Sequence, residues 1–198
     1  MPAPASVSAV LEGLTAQLAL FLVLLLCVSA FHKILWRARA QRATADLSGF
    51  EWRAAGVALW LAIAAELGAA GLMLIQTTQM VGAFAAACTW SIYFALIAHA
   101  IGAGRREVDC GCSFGSTHRP LDRFQLLRAG ILAAFAFVIA ARDAASMGGA
   151  RALWRPVLAG FDTADGVTVV LAALALLALY AALDRVMALG FLRAGEVK

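Results

Sequence analysis

The chain has 198 residues, of which 63% are hydrophobic and 14% charged, with a formal net charge of +4 and a mean hydropathy of +0.86. Soluble domains run at roughly 45–50% apolar and 25% charged, so this composition excludes a soluble globular domain and describes an integral membrane protein. The chain has no basic run interleaved with aromatics and no glycine-rich phosphate loop, which argues against nucleic-acid and nucleotide partners.

Residues 1–13 hold Pro2, Pro4, Ser6 and Ser8 but no Lys or Arg, unlike the positive start of a secretory signal. The apolar run from Leu14 to Ile34 is long enough to cross a core about 30 Å thick, and is expected to be retained as the first span. His32 and Lys33 close it, and Trp36 follows as an interfacial anchor. The connection from Leu35 to Glu51 is basic, with Arg37, Arg39 and Arg42. A second span, Trp52 to Ile75, carries Glu66 beside Gly68 and Gly71. The uncharged turn Gln76-Thr77-Thr78-Gln79 is short enough to join only antiparallel neighbours. The third span, Met80 to Gly102, carries Cys88, Thr89, Ser91, Tyr93 and His99. A polar loop from Ala103 to Asp122 leads to a fourth span, Phe124 to Ala141.

The next connection, Arg142 to Gly166, contains Gly148-Gly149, Trp154 and Pro156, with Ala152-Leu153-Trp154 suited to the interface. The fifth span runs from Val167 to Leu189. The expected fold is all-α, a polytopic membrane helical bundle of about five transmembrane helices. It would form one integral membrane domain over residues 1–198, with a four-helix core over about 14–142 and a C-terminal helix over about 167–189. The last span reads as Ala-Leu surface with no polar residue that must be hidden, so it is expected at the periphery, facing lipid.

Five spans put the two ends of the chain on opposite sides. One side collects Lys33, Arg37, Arg39, Arg42, Arg53, Arg105, Arg106, Arg119, Arg123, Arg128, Arg185, Arg193 and Lys198, and the other only Arg142, Arg151 and Arg155. The positive-inside rule makes the richer side cytoplasmic, with the N-terminus outside and the loop after span three at the cytoplasmic face.

That loop contains Asp109-Cys110-Gly111-Cys112-Ser113-Phe114-Gly115-Ser116. Two thiols separated by one glycine can close into a disulfide only if the backbone turns sharply, which Gly111 permits. The ring would be strained, and strained disulfides are the readily exchanged ones. Arg105, Arg106 and Arg119 nearby would favour the thiolate. Cys110 and Cys112 are therefore the candidate redox pair, against the plainer readings of inert loop cysteines or a structural bridge. A metal reading, with His118 as third ligand, is weaker: zinc wants a fourth ligand and usually a wider cysteine spacing.

Glu66 is the second candidate. A carboxylate inside a span costs at least ~2.5–3.5 kcal/mol on insertion scales, so it should face the bundle interior. Burial alone favours its neutral form, as a hydrogen-bonded structural group or as a handler of protons. Cys27, Cys88 and His99 read as packing residues.

The loop resembles the Cys-Gly-Cys-Phe-Gly signature of the methylamine utilisation protein MauE family, within the broader DoxX-like membrane proteins. Lys33 at the end of span one, Phe50 after it, Glu66 followed by small residues, and Arg128 opening span four are similar to that family's pattern. Ser113 departs from it by displacing Phe114 and Gly115 one place. The resemblance implies a bacterial inner-membrane accessory protein for maturing a periplasmic methylamine dehydrogenase, an exchange accessory rather than a stand-alone enzyme. Its implied partners are a thioredoxin-like protein, periplasmic or membrane-anchored, and the small subunit of the dehydrogenase, whose disulfides are formed or sorted; no cofactor or metal is implied. A cytoplasmic Cys-Gly-Cys loop could not touch a periplasmic substrate, so either electrons pass through Cys27 or Cys88 or the orientation is reversed. The alternatives are a small transport or quinone-linked subunit using Glu66, and a structural membrane partner.

Overall fold

A computed structural model describes residues 7–75, 77–105, 108, 121–145 and 163–195. Among them the chain forms helices α1 (Val7–Leu35), α2 (Arg37–Ser48), α3 (Trp52–Leu74), α4 (Gln79–Gly102), α5 (Arg123–Ala145) and α6 (Thr163–Gly195), and no strand. All but α2 are long and apolar enough to cross a membrane, so the protein is a multi-pass membrane protein, with its spans where hydropathy places them.

The helices α1, α3, α4 and α5 close a ring in which α1 packs on α3, α3 on α4, α4 on α5 and α5 back on α1. Lipid tails are as apolar as leucine, so helix association here rests on close packing by small residues. The core shows that division: Leu22, Leu25 and Leu26 of α1 fill the space left by Ala69 and Ala70 of α3, Ala83 and Ala86 of α4, and Ala136 of α5. The helices α3 and α4 approach closely beside their connecting turn, where Thr78 Oγ1 donates to Leu72 O at 3.0 Å. A Cβ on Gly82 would stand 2.4 Å from Met73 N and 2.7 Å from Leu72 C, so only glycine fits against that backbone.

The basic connection after α1 is a correction to the sequence reading, because it folds as helix α2. Its Ala, Arg and Gln content has good intrinsic helix propensity, and Ala40, Ala43 and Leu47 recur at helical spacing on its buried face. The helix starts after a break at Trp36, whose φ of −109° and ψ of 40° leave the α region. It ends at Gly49, in the left-handed region at φ +75°, whose N–H donates to Ala45 O at 2.8 Å. Arg105 Nη1 donates to Asp46 O at 3.1 Å, placing a cation on the helix's carbonyl end. Gln41 Nε2 donates to Trp52 O at 2.8 Å and ties α2 to the start of α3.

As expected, α6 is peripheral, packing on α1 and exposing Val167, Leu171, Leu174 and Leu179. Its freedom from hidden polar groups is corrected. Asp184 is buried and accepts from Arg128 Nη1 of α5 at 2.8 Å. The Arg128 guanidinium also lies 5.3 Å from the Tyr180 ring, which meets Phe21 edge-on at 6.1 Å. This polar clasp fastens α6 to the bundle. The connection residues 146–162, including Ala152-Leu153-Trp154, lie outside the described residues.

Candidate functional site

Glu66 sits about 21 Å along α3 from Trp52 at the helical rise, fully buried at 0% exposure. A carboxylate so placed must find donors within the bundle, and two neighbouring helices supply them. Ser29 and Lys33, four residues apart, share one face of α1. Ser29 Oγ donates to Glu66 Oε1 at 3.0 Å and Lys33 Nζ to the same oxygen at 2.5 Å. Tyr93 of α4 donates its OH to Oε1 at 2.8 Å. Lys33 Nζ also donates to Ser29 Oγ at 2.8 Å and lies 5.0 Å from the Tyr93 ring centroid. Trp90, one turn before Tyr93, meets that ring edge-on at 5.7 Å and fixes it.

The cluster therefore joins α1, α3 and α4 through one carboxylate oxygen. The other, Oε2, is buried with no hydrogen-bond partner among the described residues. The structure gives Glu66 a partner that the sequence reading did not pair with it, Lys33, at ion-pair distance. Lys33, assigned to the charged rim, is itself buried. Sequence reasoning missed Ser29 and Tyr93 as members of the site. The available signal was the four-residue spacing of two polar side chains, Ser29 and Lys33, near the end of an otherwise apolar span.

The other candidates are not brought to this cluster. Cys27 is half-buried against the core of the ring, and Cys88 and His99 are exposed on α4. Both cysteines are free. Cys110 and Cys112, with Arg106, His118 and Arg119, lie outside the described residues. The stems of their loop are described, and both are anchored at one end of the bundle. On the α4 side, Gly104 turns through φ +74° and Arg105 is engaged with the α2 carbonyls. On the α5 side, Leu121 packs with Leu47, Ile97, Ala100 and Ala129. Asp122 Oδ1 accepts from Gln125 N at 2.8 Å, capping the start of α5.

The model of the family described as methylamine utilisation protein MauE matches residues 9–142, which take in α5 almost to its end and stop short of α6. Comparisons with curated proteins and with solved structures gave no match. With well over half of its length matched, and with the buried Lys33–Glu66 pair and the Cys-Gly-Cys loop inside the matched region, the chain belongs to the methylamine utilisation protein MauE family.

Proposed function

We propose that this protein is a bacterial inner-membrane accessory of methylamine dehydrogenase maturation that supports thiol–disulfide exchange through Cys110 and Cys112. The observation that carries this reading is the family match across the region containing the Cys-Gly-Cys sequence. In the exchange, the Cys110 thiolate attacks a partner disulfide and one partner sulfur leaves as thiolate. Cys112 then displaces the second, closing the Cys110–Cys112 disulfide and leaving the partner dithiol; run in reverse, the same steps oxidise the partner. A thioredoxin-like protein and the small subunit of the dehydrogenase are the proposed partners. In this reading the Lys33–Glu66 cluster acts as the frame that holds the loop-bearing helix α4 against α1 and α3.

The loop's side follows from two opposed considerations. Lys33 and Arg128 are paired within the bundle and drop out of the rim charges, yet the remaining bias still favours a cytoplasmic loop. A loop on that side would exchange with a membrane-anchored partner, and a loop on the other side would meet the small subunit itself. Labelling Cys110 and Cys112 with an impermeant maleimide in intact cells distinguishes the two.

The test of the exchange itself is Cys112→Ser, which removes the resolving thiol and should trap a mixed disulfide on Cys110. Acid-quenched samples on non-reducing gels, with mass spectrometry of the adduct, read the result. If neither single variant gives an adduct and both wild-type thiols stay reduced, the reading fails. One observation favours a second reading, a transport or quinone-linked subunit in which Glu66 handles a proton: the buried Oε2 has no hydrogen-bond partner among the described residues. There Glu66→Gln would abolish activity and the double Cys110→Ser, Cys112→Ser variant would not.

A further inference from the structure

We infer that the crook between the end of α1 and helix α2 binds the phosphate headgroup of an anionic phospholipid. The break at Trp36 folds α2 away from α1 and leaves a concavity of about 480 Å³. Its walls include Leu35, Trp36, Arg37, Arg39, Arg42 and Asp46. Three arginines face one aspartate there, so the concavity favours an anion. Guanidinium groups suit a phosphate in particular, because their paired N–H donors match two of its oxygens. Arg37 lies 5.4 Å from the Trp60 ring centroid, which holds its guanidinium at the α3 side of the concavity.

The apolar half of the surroundings selects a lipid over a soluble phosphate. Phe31, Ile34, Leu35 and Trp36 are all exposed at the end of α1. They continue from the arginines along a membrane-spanning helix, where acyl chains would lie. Trp52, whose carbonyl accepts from Gln41 of α2, is exposed at the first residue of α3, and tryptophan at a span's end marks headgroup level. A free phosphate would satisfy the arginines and ignore the apolar strip, whereas a phospholipid uses both.

The experiment uses the full chain in detergent micelles and calorimetric titration with short-chain phosphatidylglycerol, phosphatidylcholine and inorganic phosphate. Each arginine near an anionic surface is worth about fivefold in affinity. The triple variant Arg37→Gln, Arg39→Gln, Arg42→Gln should therefore weaken phosphatidylglycerol by roughly a hundredfold. Arg123→Gln, on another helix, should leave it unchanged. Phosphatidylcholine should bind at least tenfold more weakly than phosphatidylglycerol, and equimolar inorganic phosphate should not compete. Equal binding of the two lipids, retained binding in the triple variant, or competition by inorganic phosphate would each overturn the assignment. Should the triple variant not fold, Arg42→Gln alone, exposed on α2, should lose about fivefold, and unchanged affinity there refutes the site.

Discussion

Lys33→Met removes the ammonium from the Lys33–Glu66 pair while keeping an unbranched side chain of similar reach. Glu66 is fully buried, and after the substitution Oε1 retains Ser29 and Tyr93 but loses its ion-pair partner. Breaking a buried ion pair by deleting one member costs about 3–5 kcal/mol in soluble proteins. Polar contacts within membranes measure less, about 0.6 kcal/mol on average and 1.7 at most, because the unfolded helices find other partners. An unpaired carboxylate in the ring interior lies nearer the first case, so Lys33→Met should cost about 3 kcal/mol. Replacing both groups with apolar ones, Lys33→Met with Glu66→Leu, removes the stranded charge. Its cost should fall to about 1 kcal/mol, for the acceptor that Ser29 and Tyr93 lose. Unfolding by sodium dodecyl sulfate in mixed micelles, followed by circular dichroism, reads Lys33→Met, Glu66→Leu and the double variant. The reasoning is refuted if Lys33→Met costs under about 1 kcal/mol, or if the double variant costs the sum of the two singles.

Gly82→Ala places a Cβ 2.4 Å from the backbone of α3, so the helices must separate. Its thermal unfolding should show a loss of about 1–3 kcal/mol or more, whereas Gly68→Ala, with open space at its Cβ position, should be close to neutral. Arg128→Met strands Asp184 and should loosen α6 at a cost of about 1–2 kcal/mol. Limited proteolysis should then release the α6 segment first, and unchanged protection of α6 would contradict the clasp.

The spans were legible because bilayer thickness sets their length and apolar runs reveal it. Glu66 was legible as inward-facing because the cost of exposing a carboxylate to lipid leaves no other place for it. Helix α2 was not, because a short segment with four charged residues reads as a solvated connection. Its propensity favours a helix, but its docking rests on tertiary partners that no local pattern names, Gln41 on Trp52 and Arg105 on the α2 carbonyls. Asp184 stands beside Arg185 near the end of an apolar run that read as having no polar residue to hide; only the position of Arg128 on a different helix shows that it is paired inside.

Lys33 shows why depth cannot be counted from the end of a hydrophobic run. It lies two residues before the end of α1, yet it reaches Glu66, about 21 Å along α3. The two facts agree because α1 stops while α3 still has turns to cover. Ala30 of α1 packs with Leu59 and Ile63 of α3, in the middle of that helix rather than at its start. Ala40 of α2 joins the same cluster, and Gln41 reaches the first residue of α3. The chain therefore breaks at Trp36 inside the length of its neighbour, and α2 takes over the remaining surface of α3. A break is tolerable there because the backbone stays largely paired: Trp36 N donates to His32 O, and Ala40 N to Trp36 O. The Lys33–Glu66 bond fixes how far α1 runs along α3, and that depth in turn sets where the arginines of α2 emerge. One buried pair thus specifies the register of three elements, a use for which buried ionic groups are best attested.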